Sequence, residues 1–210
     1  MRTLSQILVD VQSFTDLEAV LPTGDDLLVR VNYANLAILE AADKVVFNEF
    51  NRILEVNIGS GYQVSLPTDF RGFTTAPRQI SNSTEYSEIN SDDRFLKSSG
   101  ELYCYVIGNP SQGYLATFNG LSANATISIN YQRFPSGFAT LTDICELPDD
   151  TYVVEKIKSY VLQSRTDERF PQIEANAQFK LNNMVGRQAK QPGGGQNRTP
   201  VAVKRYRMGT

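Results

Sequence analysis

The sequence predicts an α+β fold: a helical bundle built from a long central helix and a C-terminal helical hairpin, with a small antiparallel β domain inserted and an extended C-terminal arm. Three observations predict it. Apolar residues recur at helical spacing towards both ends of the chain, glycine and proline punctuate the middle third where period-two alternation takes over, and apolar periodicity stops at Lys190. At 210 residues and 23.4 kDa the chain is long enough to bury roughly 70% of its unfolded surface, so no disulfide or metal is needed to hold it.

Residues 3–14 place Leu4, Ile7, Leu8 and Val11 three and four apart, the spacing of one helical face. After Leu21-Pro22, Thr23 and Asp25 supply a cap and an acidic first turn, and a helix of about 45 Å is expected over residues 23–53. Leu27, Val31, Ala34, Ile38, Ala41, Val45 and Phe50 mark its main stripe; Leu28, Leu36, Val46, Phe47 and Ile53 widen it. A stripe this wide predicts burial on more than one side, either as a central helix of the chain's own core or as a helix packed on that core and also on a neighbouring subunit. Residues 1–53 are thus expected to form the N-terminal helices of the bundle.

Residues 54–147 form the expected β insertion. Residues 55–58 and 62–66 resemble a hairpin around Gly59 and Gly61, and residues 102–107, 114–118 and 125–131 read as three more strands joined at 109–113 and at Asn119-Gly120. Ile127, Ile129 and Tyr131 alternate with Ser128 and Asn130, so one face is apolar and the other wet. Residues 70–100, rich in Ser, Asn, Asp and Arg, are expected to be an irregular surface connection. Residues 148–189 complete the bundle: Asp149 or Asp150 caps a helix with Val153, Ile157, Tyr160 and Val161 on one face. A second helix follows, with Ile173, Ala177, Leu181 and Met184 in a stripe and Gly186 near its end. Residues 190–210 pass through Pro192 and Gly193-Gly194-Gly195 to Lys204-Arg205-Tyr206-Arg207, the composition of an arm.

Composition narrows the chemistry. The chain has no histidine, which removes the commonest general base and metal ligand and excludes Ser-His, Cys-His and zinc-hydrolase sites. A net charge of -3 and a pI near 5.1 argue against a dedicated nucleic-acid binder. Cys104 and Cys145 lie in apolar surroundings and read as core thiols of a protein that folds in a reducing cytoplasm, since no secretory segment is evident at the amino end. No apolar run approaches the roughly 18 residues of a bilayer span, so no membrane association is expected. Asp25-Asp26 and Asp149-Asp150 sit where helices begin and read as caps, whereas Asp92-Asp93-Arg94 reads as solvated loop. Gly193-Gly194-Gly195 lacks the lysine and hydroxyl of a phosphate loop. No catalytic, metal-binding or cofactor-binding residue is assigned, and no cofactor or enzymatic activity is expected.

The order of helices, β insertion, the strand end Tyr131-Gln132-Arg133-Phe134-Pro135, then Asp143 and Leu147-Pro148-Asp149-Asp150 with Tyr152 in the following helix, resembles the head-to-tail adaptor proteins of tailed bacteriophages. Leu66-Pro67-Thr68-Asp69-Phe70-Arg71 is similar to a Leu-Pro-x-Asp-Phe stretch of short-tailed-phage connectors and tail-tube subunits. The resemblance covers residues 20–187 and leaves the arm without a matching motif. It implies a structural virion protein at the neck, assembled in the host cytoplasm, about twelve copies of which close a ring. That ring joins the portal protein to tail, nozzle or stopper proteins and lets double-stranded DNA pass without specific binding. Leu28, Leu36, Val46, Phe47, Tyr160 and Met184 are then the expected subunit interface, and Val201, Val203, Lys204, Arg205, Tyr206 and Arg207 the residues that dock on the portal or a neighbouring subunit. The alternative is a carbohydrate-binding or adhesion module of a virion or cell surface, with Tyr103, Tyr105, Tyr114 or Phe118 as stacking platforms.

Overall fold

The computed structural model describes residues 1–59, 61–98, 100–109 and 111–190, and the chain divides into two units. One joins residues 1–48 to the residues from 135 onward; the other is residues 49–134.

The first unit holds α1 (Leu4–Thr15), α2 (Gly24–Lys44), α3 (Asp150–Ser164) and α4 (Phe170–Lys190). Thr3 and Gln6 close a reciprocal capping box at the start of α1, which buries the expected Leu4, Ile7, Leu8 and Val11. At the start of α2, Gly24 takes a φ of +60°, and Asp25 and Asp26 lie at the positive end of the helix dipole. The Asp149 carboxylate accepts the Thr151 N–H at 3.0 Å and so caps α3. α3 packs on α1, α2 and α4, so it is covered on several sides, and even Lys156 and Ser159 are buried with its apolar residues. Before α4, Asp167 accepts the Arg169 N–H at 2.9 Å, and Pro171 falls in the first turn, where a missing N–H costs no helical bond. Residues 135–147 belong to this unit: the Leu4 N–H donates to the Asp143 carbonyl at 2.9 Å, and Phe138, Cys145 and Leu147 are buried.

The second unit holds β1 (Asn51–Ile58), β2 (Gln63–Leu66), β3 (Phe70–Phe73), β4 (Arg78–Gln79), β5 (Ser87–Glu88), β6 (Tyr103–Asn109), β7 (Gly113–Asn119) and β8 (Ala125–Arg133). Among the described residues these form two four-stranded sheets. In one, β8 pairs with β1 along one edge and with β3 and β4 along the other; the second runs β2-β7-β6-β5. Leu54 stands opposite Ile129 and Val56 opposite Ile127 in the first sheet, Cys104 opposite Phe118 in the second. Ile58, Phe70, Ile127, Ile129 and Tyr131 from one sheet and Val64, Leu66, Cys104, Ala116 and Phe118 from the other share a single apolar core. At the β6–β7 connection Gly108 has a φ of +121°, and a Cβ there would stand 2.1 Å from the Gly113 carbonyl oxygen, so only glycine fits.

The class is α+β, but the expected architecture, a helical bundle on a long central helix and C-terminal hairpin with one small antiparallel insert, is not what the chain forms. Strands organise the middle of the chain into two sheets, and β5 runs parallel to β6. The helix expected to reach residue 53 ends at Lys44: Val45 is extended, a 3-10 turn covers Asn48–Phe50, and Ile53 lies in β1. Val45, Val46 and Phe47 alternate buried, exposed, buried, which is strand-like spacing, and the two β-branched valines have the weaker helix preference. The expected 55–66 hairpin does not form either, because β1 pairs with β8 and β2 with β7. The 70–100 stretch carries β3, β4, β5 and a 3-10 segment at Ser91–Leu96. The inserted unit spans residues 49–134, not 54–147, since residues 135–147 are tied to α1.

Cys104 and Cys145 are both free and fully buried. Burial pushes the Cys104 thiol up to about 12, helped by the Glu88 carboxylate, and the Cys145 thiol up to about 11. Both thiols are therefore expected to resist a thiol-specific disulfide reagent at pH 8 in the native protein and to react fully in denaturant, as absorbance titration would show.

Candidate interaction surface

α2 turns its small residues inward and its large ones outward. Ala34, Ala37, Ala41 and Ala42 with Ile38 form the buried face, which lets neighbouring helices approach closely. Leu28, Val29, Leu36 and Leu39 stay 63%, 45%, 44% and 47% exposed. At 100° per residue these four, with Asn32, fall within about 100° of one another, a single ridge roughly 16 Å long. Covering the ridge is worth about 4 kcal/mol at the usual value for burying a leucine-sized side chain. Its flanks carry the exposed carboxylates Asp25 and Asp43.

The six expected interface residues separate into two groups. Leu28, Leu36 and Val46 are exposed, Leu28 and Leu36 on the ridge and Val46 just beyond the end of α2. Phe47 and Met184 are buried in the chain's own core, at 0% and 1% exposure, and leave no face for a neighbour. Tyr160 is half-buried, its ring centroid 5.2 Å from that of Tyr33 and its hydroxyl donating to Glu40 at 2.5 Å. Val29 and Leu39 were not expected here, although plotting α2 on a wheel places both beside Leu28 and Leu36. Sequence reading also missed Phe179, exposed on α4 opposite its buried Ile173, Ala177, Leu181 and Met184, Val185, exposed at the edge of that stripe, and Phe95 and Leu96, exposed in the 3-10 segment. Val201, Val203, Lys204, Arg205, Tyr206 and Arg207 lie outside the described residues.

Of the expected stacking tyrosines and phenylalanine, Phe118 is inside the β core and Tyr114 packs on Phe70 at 5.6 Å. Tyr103 and Tyr105 stack on each other at 6.5 Å, with the Arg94 guanidinium 5.5 Å above the Tyr105 ring. Among the described residues no group of three or more cysteines and carboxylates is placed to hold a metal. An open depression of about 270 Å³ is lined by Ser5, Gln6, Val9, Asp10 and Leu21; its one ionisable group, Asp10, is paired with Arg2. No described helix is long and apolar enough to cross a membrane.

Beneath the ridge, ion pairs lock the helices. Lys156 on α3 lies 2.6 Å from Glu174 on α4 and 3.2 Å from Glu40 on α2, while the Ser159 hydroxyl donates to Glu174 at 2.5 Å. Burial favours the neutral Glu174 carboxyl, but Lys156 and Ser159 outweigh it and hold the group below its ordinary value. Between α1 and α2, Asp16 binds Arg30 and Arg165, each at 2.7 Å. Partial burial raises the Asp16 carboxyl, and the hydrogen bonds from Arg165, Arg30 and Thr15 overturn that and hold it well below the carboxylate range.

No protein-family model and no curated protein matches the chain.

A carboxylate depressed in the folded state stabilises above its unfolded value and loses that contribution as pH falls through the folded one. Asp16→Asn is therefore expected to cost about 3 kcal/mol at pH 7, because it strands the nearly buried Arg30, and the loss should shrink as pH falls below about 4. Urea unfolding of both proteins from pH 7 to pH 3 measures the difference. Lys156→Met should likewise cost about 2–3 kcal/mol, and Glu40→Gln with Glu174→Gln should restore much of it, since two facing carboxylates no longer repel.

Proposed function

We propose that the chain is a structural virion protein: a subunit of an oligomeric ring, of about twelve copies, that adapts a phage portal to the tail and seals the DNA channel. The leucine ridge of α2 carries this reading. A helix that places alanines inside and leucines outside leaves several kcal/mol of apolar surface to be covered, and a subunit contact covers it. A closed ring needs two different faces that meet head to tail. The α2 ridge is one, and the side of α4 that exposes Phe179, opposite its buried stripe, supplies a second. The positions that carry the family resemblance sit at structural joints. Leu66 through Arg71 span the passage from β2 to β3, Pro135 closes β8, and Asp149 after Leu147-Pro148 caps α3.

The charge distribution suits a channel wall that does not hold passing DNA. Residues 1–190 carry 16 of the 20 Lys and Arg but all 23 Asp and Glu, and each exposed cation fewer is a phosphate contact fewer. Portal and tail or nozzle proteins are the partners, assembly takes place in the host cytoplasm, and the role is mechanical, without an enzymatic step or cofactor.

Light scattering of the full chain, alone and with isolated portal rings, tests this. We expect a monomer alone and a ring of about a dozen copies on the portal. Leu36→Asp should abolish the ring while changing stability by no more than about 0.5 kcal/mol, because the side chain is at the surface. A chain that ignores portal rings and is retained on glycan arrays would replace this reading with the adhesion module.

A further inference from the structure

Of the edges in the two sheets, β1 is the one left long and regular. It pairs with β8 through eight consecutive residues without a register shift, and among the described residues no strand lies along its other edge. β4 and β5 are two residues long, β2 is four, and β3 is broken by a register shift between Phe70 and Gly72. Shortness, proline, lysine and bulges are what normally protects an exposed edge, and β1 has none of them.

The ladder fixes which of its backbone groups are open. The Thr74 N–H donates to the Asn130 carbonyl and the Ile80 N–H to the Thr126 carbonyl, each at 2.9 Å, so the even-numbered residues of β8 serve its β3 and β4 side. Ile127 and Ile129 therefore serve β1, where they stand opposite Val56 and Leu54. That leaves the N–H and C=O groups of Ile53, Glu55 and Asn57 directed away from β8, about 7 Å apart along the strand. Among the described residues these groups meet no backbone partner, and all three residues are exposed, Ile53 at 70%.

Donors and acceptors repeated at this spacing recognise an extended polypeptide backbone. A second copy of β1 is disfavoured as the occupant. The antiparallel register that uses all three open residues sets Glu55 against Glu55, and directly opposed like charges destabilise a strand pair. We infer that the open edge of β1 binds an extended segment of a different protein, which adds antiparallel to β1 with a lysine or arginine opposite Glu55 and an apolar residue opposite Ile53. The added strand bonds to the N–H and the C=O of Ile53, Glu55 and Asn57, and the two side-chain pairs select its register. Strand addition goes beyond the ring reading and does not rest on it, because the edge is a property of the lone chain.

Residue-resolved amide hydrogen exchange of the full chain tests it, with the peptide Val-Thr-Val-Lys-Val-Ile-Glu, whose lysine falls opposite Glu55 when its isoleucine falls opposite Ile53. In the free chain the amides of Ile53, Glu55 and Asn57 should exchange at least about tenfold faster than those of Leu54 and Val56, which the ladder protects. Peptide at roughly 1 mM should slow the three open amides by about tenfold and leave the helical amides of Ile7 and Ile157 unchanged. Replacing the peptide's lysine by glutamate should abolish the protection, and Glu55→Lys should reverse the preference; Glu55 is exposed, so the variant keeps the fold. Open amides already as slow as their neighbours in the free chain would overturn the inference, as would a peptide that leaves them unprotected or two peptides that protect alike. So would protection that grows with protein concentration in the absence of peptide, because the occupant is then a second copy. None of these results bears on whether the chain joins a portal.

Discussion

Lys156 is a cation taken almost wholly out of water, and the first unit is arranged around keeping it paired. An unpaired buried ammonium would cost several kcal/mol, so α2 must bring Glu40 and α4 must bring Glu174 to within a hydrogen bond of the same point on α3. The pairing ties three helices together at one point. On α2 the alanines face inward and the leucines face out, and on α4 Phe179 lies opposite the buried stripe of Ile173, Ala177, Leu181 and Met184. The Lys156 ammonium also lies 4.9 Å from the Tyr160 ring, whose hydroxyl is committed to Glu40, so the aromatic beside the ridge is held by the same cluster.

Asp16 plays the matching role at the other side of α2, where Arg30 and Arg165 converge on one carboxylate. The two clusters contain most of the buried charge among the described residues of this unit. Their geometry is that of locks between helices.

The inner faces of the helices were legible in the sequence because a period of 3.6 leaves few alternatives for Leu4, Ile7, Leu8 and Val11, or for Ile173, Ala177, Leu181 and Met184. The end of α2 was not: Val45 and Phe47 continue an apolar run, and only their period-two burial separates them from the helix before. The pairing of the strands was hidden for a different reason. β1 and β2 are joined by a glycine-containing turn that looks like a hairpin, yet β1 finds its partner β8 some seventy residues away, and nothing local encodes that choice. The exposed ridge was half legible, since Leu28 and Leu36 stood out while Phe47 and Met184, equally apolar, turned out to be core. Apolar excess in a helix signals that something must be covered; only the packing tells which residues remain to do it.

The account stands on the claim that this chain is a built-in part of a virion, one of several copies at the neck. Quantitative mass spectrometry of intact, nuclease-treated particles, with the portal protein as internal standard, tests that claim most directly. A copy number equal to that of the portal, about twelve per particle, is the predicted result; particles that carry the portal at full occupancy and none of this chain would contradict it.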